Sequence, residues 1–162
     1  MMRWSHAAAA VAAGGILAFA LAAPAYRRDM GLARRTLAGS DVMPSPFGPI
    51  EWAEQGEGEA MLVSHGTGGG FDQGLAIAGP LSKHARLIAP SRFGYLRSGM
   101  PTNASPALQA DAFAHLLDRR RQRRVHVLGI SAGALAAFAF AIRNPERVRS
   151  LTLIGPAAYD PE

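Results

Sequence analysis

The chain contains no cysteine. That absence excludes a disulfide framework, a thiolate nucleophile and a thiolate-ligated metal, and it is compatible with either side of a membrane. There is no internal repeat, which excludes solenoids and propellers, and no stretch fits the phosphate-loop pattern. Aromatic residues are sparse at 7%. What remains is 162 residues with 49% hydrophobic and 18% charged side chains, 18 Gly and 11 Pro, an ordinary globular composition. One domain is the natural count, close to the lower size limit for a large mixed α/β sheet.

The net charge of +5 is unevenly placed. Residues 1–35 carry five Arg against Asp29, and residues 118–124 carry five more against Asp118, so the rest of the chain is net acidic. A groove for nucleic acid combines dispersed basic residues with stacking aromatics. The run Arg119-Arg120-Arg121-Gln122-Arg123-Arg124 has no aromatic neighbour in sequence closer than Phe113. A solvated helix end and loop is the expectation, with no nucleic acid partner.

Residues 7–25 are uncharged and rich in Ala, between Arg3 and the cluster Arg27, Arg28, Arg34 and Arg35. Nineteen residues are about what a bilayer span requires. The stretch also reads as a signal peptide, with Ala20-Leu21-Ala22 or Ala23-Pro24-Ala25 as the cleavage site. The arginines that follow oppose translocation of that flank, so a membrane anchor is favoured over secretion. The expected organisation is an apolar helix or signal over 1–28, a linker over 29–44 and a folded domain over 45–162.

From there on, strand-like and helix-like segments alternate. Ile50–Glu54 has the period-2 pattern of a half-exposed strand, followed by a turn at Gly56–Glu59. Met61–Ser64 is a short apolar run, Arg86–Pro90 and Val125–Ile130 read as buried strands, and Val148–Ile154 reads as a further strand. A short helix through Leu75, Ala78 and Leu81 is interrupted near Pro80. Ser105-Pro106 begins a second helix with Leu108, Ala112 and Leu116 on its apolar face, and Ala132–Arg143 is a third, apolar on nearly every side. Such alternation predicts an α/β fold with a mainly parallel sheet flanked by helices.

Ligands of such sheets bind beyond the carboxyl ends of the strands. There the chain has Gly129-Ile130-Ser131-Ala132-Gly133, of the form G-x-S-x-G, between a buried strand and a buried helix. The pattern is weak alone, but a sharp strand-to-helix turn needs glycines on both sides of the serine and lifts its hydroxyl to the helix N-terminus, where negative charge is favoured. Serine chemistry also needs donors for the oxyanion that it creates. The Ala132 N–H is one candidate, and an N–H of Thr67 or Gly68 in the loop His65-Gly66-Thr67-Gly68-Gly69-Gly70 is the second.

Strand, H-G-T-G-G-G loop, helix, strand, S-R-F-G-Y-L-R-S, helix, strand, G-I-S-A-G and helix together resemble the N-terminal half of an α/β-hydrolase. The resemblance covers roughly residues 45–160. It implies Ser131 as nucleophile, Gly129 and Gly133 as its flanking turn glycines, and Ala132 and Thr67, with Gly68, as oxyanion donors. His65 and Gly66 would be structural supports of the oxyanion loop. Residues 91–98 are similar to the family's D-x-R-G-x-G-x-S loop, with Ser91 in place of the acid, Phe93 of the arginine and Leu96 of a glycine. A serine at the turn points to esterases, lipase-like enzymes, C–C hydrolases, cofactor-free haloperoxidases and acyl transferases, acting on small molecules without cofactor or metal.

The base and acid of the family follow the nucleophile in chain order. No histidine follows Ser131, and only Asp160 offers itself as an acid, with a surface turn before Pro161 as its alternative. His6, His84, His115 and His126 read as structural. The expectation is therefore an N-terminal portion of a hydrolase with little turnover of its own. A non-catalytic hydrolase-like scaffold is the alternative. A dinucleotide site is disfavoured because Phe71 stands where the third fingerprint glycine belongs.

Overall fold

A computed structural model of the chain describes residues 20–32 and 39–157. The chain divides into two compact units, Met1–Ala38 and Gly39–Glu162. In the first, residues 20–32 are helical and mostly exposed. The expected membrane segment 7–25 lies largely outside the described residues, and among those described no helix is long and apolar enough to cross a membrane.

The second unit is a six-stranded sheet. Its strands are β1 (Asp41–Met43), β2 (Ile50–Gln55), β3 (Glu59–Ser64), β4 (Ala85–Pro90), β5 (Val125–Ile130) and β6 (Val148–Ile154), in the spatial order β1-β2-β4-β3-β5-β6. The two pairings at the β1 edge are antiparallel, and the other three are parallel. Helix α1 (Phe71–Ala78) links β3 to β4, α2 (Pro106–Arg119) links β4 to β5, and α3 (Gly133–Arg143) links β5 to β6. The chain thus moves from β3 toward one edge and then, from β4, crosses to the other side of β3. This reversal brings the ends of β3, β4 and β5 together, the place where such sheets gather their ligands.

Alternation along the strands explains the two helical layers. Leu62, Ile88 and Val127 project to one face and are buried with Phe113, Leu116 and Phe140 of α2 and α3. Val63 and Ala89 project to the other, where Gly74 of α1 lies so close that a methyl group there would sit 3.3 Å from Val63 Cγ1. Burying one such Leu or Phe side chain is worth about 1.5–3 kcal/mol. Helix α2 is started by Ser105, whose hydroxyl accepts the Leu108 N–H at 3.1 Å, with Pro106 at the first helical position. Helix α1 ends at Ala78 and passes into a 3-10 turn, Gly79–Lys83, at the expected interruption near Pro80.

Three expectations are corrected. The residues read as a linker over 29–44 contribute β1, whose register with β2 runs from Asp41 opposite Trp52 to Met43 opposite Ile50. Strand β2 is not half exposed: Ile50, Glu51, Trp52 and Ala53 are all buried, Glu51 fully. Helix α3 is less enclosed than its composition suggests. Gly133, Ala134, Ala136, Ala137 and Phe140 are buried, whereas Leu135, Phe138 and Ile142 form an exposed stripe at positions i, i+3 and i+7.

Candidate active site

Ser131 follows β5 directly, and its backbone is left-handed with φ +49°. A side chain with a Cβ adopts that conformation at a cost of roughly 1–2 kcal/mol, so the surroundings must enforce it. They do so with backbone. The Ser131 N–H donates to Ile154 O at 2.9 Å, and its carbonyl accepts from Ala134 N at 3.0 Å and Ala157 N at 3.2 Å. A methyl group on Gly133 would collide with the carbonyl oxygens of Ser64 and His65, and one on Gly129 would lie 2.7 Å from Ala137 Cβ and 2.9 Å from Leu153 Cδ2. Both turn glycines are therefore required by close approach. Ser64 Oγ, donating to Gly133 O at 2.9 Å, ties β3 to the first turn of α3.

The loop after β3 lies against this turn: a methyl group on Gly66 would sit 3.3 Å from Ser131 Cβ. His65 and Gly66 are buried, Thr67 and Gly68 are exposed, and Ser131 and Ala132 are partly buried. Ala132 is the N-cap of α3, and among the described residues neither the Ala132 N–H nor the Thr67 N–H donates a hydrogen bond. The structure thus brings together Gly66, Ser131 and the start of α3, with residues 67 and 68 next in the same loop.

His65 is fully buried. Its Nε2 faces the Arg92 backbone N–H at 2.8 Å, and its Nδ1 faces Gly66 O at 2.7 Å. Nε2 must accept, so the ring proton sits on Nδ1 and donates to the Gly66 carbonyl. Burial lowers the imidazole to about 4, against the Gly66 carbonyl, which favours the proton, and with the nearby Arg92 charge, which disfavours it. At neutral pH the ring is uncharged and both its nitrogens are engaged, as befits a support.

Residues 91–98 close the other side. The Ser91 hydroxyl, standing where the resembling loop has an acid, accepts from Phe71 N at 3.0 Å and donates to Glu51 Oε2 at 2.9 Å. Glu51 also takes the Arg97 N–H at 3.1 Å and Arg97 Nε at 2.7 Å, together with the Ser40 hydroxyl at 2.8 Å. Burial alone would raise its carboxyl, but the bonds from Arg97, Ser40 and Ser91 outweigh burial and hold it below the ordinary value. The missing acid is thus supplied from β2. Leu96 has φ +50°, which explains why the resembling pattern places a glycine there.

A cavity of about 200 Å³ opens beside Ala132, lined by Arg92, Phe93, Met100, Gln109 and Leu135 among others. Gln109 fixes its wall by accepting the buried Phe93 N–H at 2.7 Å.

The remaining histidines stand elsewhere. His126 lies near the start of β5, at the opposite end from Ser131, and contacts Glu59 and Ser150. His84 ends the turn before β4, and His115 packs edge-on to Phe47. Asp160 lies outside the described residues, as does His6. Within the arginine run, Arg120 pairs with Glu54 and stacks over Trp52 at 4.4 Å, an aromatic partner that sequence distance concealed. Among the described residues no cluster of ligating side chains could hold a metal.

A strained serine between obligatory glycines, at the crossover of a mainly parallel sheet and beside a glycine loop, is the architecture of a hydrolase fold. Residues 59–162 match the family model for the alpha/beta hydrolase fold, and the chain belongs to that family. It is 37% identical over 106 residues to a 2-hydroxymuconate semialdehyde hydrolase of Pseudomonas putida, covering 63% of this chain and 38% of that protein. It is 31% identical over 138 residues to Lipase 1 of Psychrobacter immobilis, covering 82% of this chain and 41% of the lipase. An alpha/beta hydrolase fold protein from Nakamurella multipartita superposes with a TM-score of 0.70 at 30% identity, covering 76% of this chain and 44% of that one. The chain spans about two fifths of the length of these curated relatives.

Proposed function

We propose that this chain carries the nucleophile and oxyanion site of a serine hydrolase acting on an ester or a related acyl or C–C substrate. The observation that carries the reading is the left-handed backbone of Ser131, held between two glycines that admit no methyl group. Strain of this kind persists only where the surroundings over-determine it, and it clusters at functional sites. The hydroxyl then stands at the N-terminus of α3, where developing negative charge is stabilised by the helix dipole and by N–H donors. In the reaction, Ser131 Oγ bonds to the substrate carbonyl carbon, its proton passes to a base, and the carbonyl oxygen becomes the oxyanion received by the N–H groups of Ala132 and Thr67, with Gly68 adjacent. The cavity beside Ala132 would receive the acyl portion, its Phe93, Met100 and Leu135 walls suiting an apolar group.

The names of the relatives, a lipase and a semialdehyde hydrolase, support hydrolysis of small carbonyl compounds as the class. None of the described histidines supplies the base: His65 has both nitrogens engaged, and the others lie at different places in the fold. Slow ester turnover by this chain alone follows, because an unactivated serine loses orders of magnitude in rate. The test is a fluorophosphonate probe, which forms an Oγ–P bond with release of fluoride. Labelling of the wild type that is absent in Ser131→Ala supports the reading. Labelling that persists in Ser131→Ala overturns it, as does a wild type that stays unlabelled over the long exposures that an unactivated serine requires.

A further inference from the structure

The Arg92 side chain is surrounded by carbonyls instead of carboxylates. Its Nε donates to His65 O at 2.9 Å and its Nη2 to Gly66 O at 2.9 Å. The guanidinium lies over the Tyr95 ring at 4.9 Å from its centre, and that ring meets the edge of His65 at 4.8 Å. Among the described residues Arg92 forms no ion pair with an acid. A partly buried cation without a counter-charge is costly, and burial indeed disfavours its charged form. Placing it there needs a compensating use.

The use follows from peptide geometry. The carbonyl of Gly66 and the N–H of Thr67 belong to one planar trans unit and point in opposite directions. Gly66 O is held by two donors, Arg92 Nη2 and His65 Nδ1. Holding the carbonyl on that side turns the Thr67 N–H away from Arg92 and His65. The same guanidinium, through Nε, holds the preceding carbonyl, so two consecutive peptide planes share one rigid fork. Hydrogen bonding of a carbonyl to a cation also polarises its peptide and strengthens the opposite N–H as a donor.

We propose that Arg92 is a positioning residue for the oxyanion site, its guanidinium clamping the carbonyls of His65 and Gly66 so that the Thr67 N–H is presented toward the oxyanion formed at Ser131. The inference rests on the serine-hydrolase reading for its consequence in rate, and on the hydrogen bonds alone for the peptide orientation. Arg92 touches no reacting atom. It acts through the loop, while His65 supplies the second, neutral donor to the same oxygen.

The experiment compares wild type, Arg92→Met, Arg92→Lys and the exposed control Arg119→Met, following fluorophosphonate labelling per folded molecule and the amide resonance of Thr67 by NMR. Losing one oxyanion donor outright costs about a hundredfold to a thousandfold, so losing its orientation should slow labelling by roughly tenfold to a hundredfold in Arg92→Met. Arg92→Lys recovers only part of this, because an ammonium cannot span two carbonyls. The Thr67 resonance moves in Arg92→Met and stays in place in Arg119→Met. Labelling of Arg92→Met at the wild-type rate overturns the proposal, as does an unmoved Thr67 resonance. Should Arg92→Met fail to fold, Arg92→Lys decides: wild-type labelling overturns the proposal, and slowed labelling with a displaced Thr67 resonance supports it. An unlabelled wild type sinks the serine reading, and the Thr67 resonance then judges the clamp by itself.

Discussion

Protonating His65 would place a charge in a fully buried site and convert Nε2, which accepts the Arg92 N–H, into a second donor facing a donor. The imidazole is lowered to about 4 in the folded chain from an ordinary value of 6.5. The unfolded chain therefore takes up this proton first as the pH falls. The stability that His65 contributes is complete above about pH 6.5 and is lost progressively as the pH drops toward 4, with a total of about 3 kcal/mol. Between pH 7 and pH 5 the loss is about 2 kcal/mol, a large share of the roughly 5–15 kcal/mol that a domain commonly has. The Glu51 carboxyl, held below its ordinary value of 4.5, adds its own loss only as the pH falls through 4.5 and below, so it contributes little between pH 7 and pH 5. Urea unfolding followed by far-UV circular dichroism at pH 7, 6 and 5 should show the midpoint falling with an unchanged slope. NMR of the imidazole should show His65 uncharged and protonated at Nδ1 at pH 6. A native His65 that titrates near 6.5, or a midpoint that does not move between pH 7 and 5, would refute the reasoning.

Two further outcomes follow from the same contacts. Ser131→Gly removes the left-handed strain, partly offset by the extra freedom of glycine in the unfolded chain, and should raise stability by about 0.5–1 kcal/mol while abolishing fluorophosphonate labelling; thermal melts and labelling on one sample check both. Glu51→Gln leaves Arg97 without its carboxylate and should cost about 2–4 kcal/mol by urea titration, discounted from a fully buried pair because Arg97 is partly exposed; a loss below 1 kcal/mol would show that Ser91 and Ser40 alone suffice.

Strands β2 to β6 and the three helices were legible because their apolar residues recur with the right period and their boundaries carry Gly, Pro or Ser. Ser131 and its glycines were legible for a sharper reason: a tight turn packed on backbone leaves a pattern in neighbouring residues. Strand β1 was not, since Asp41-Val42-Met43 is short and largely exposed at a sheet edge. Glu51 misled because alternation assigns a charged residue to solvent, and the Arg97 that keeps it buried lies 46 residues downstream. The clamp of Arg92 on Gly66 was illegible for the same reason. It exists only because β3 and β4 are parallel neighbours whose ends meet.

The hydrogen bonds that shape Ser131 reach beyond its own turn to Ile154 and Ala157, the end of β6 and the residues after it. Among the described residues strand β6 pairs with β5 in parallel. Ile154 is the last residue of β6, so the acceptor of the Ser131 N–H is fixed by the register of β6 on β5. The left-handed turn at Ser131 is thereby held from β6 as well as from β5 and α3. A one-residue shift in that register would leave the Ser131 N–H facing a different backbone group, so the pairing of two strands sets the conformation of a residue in neither.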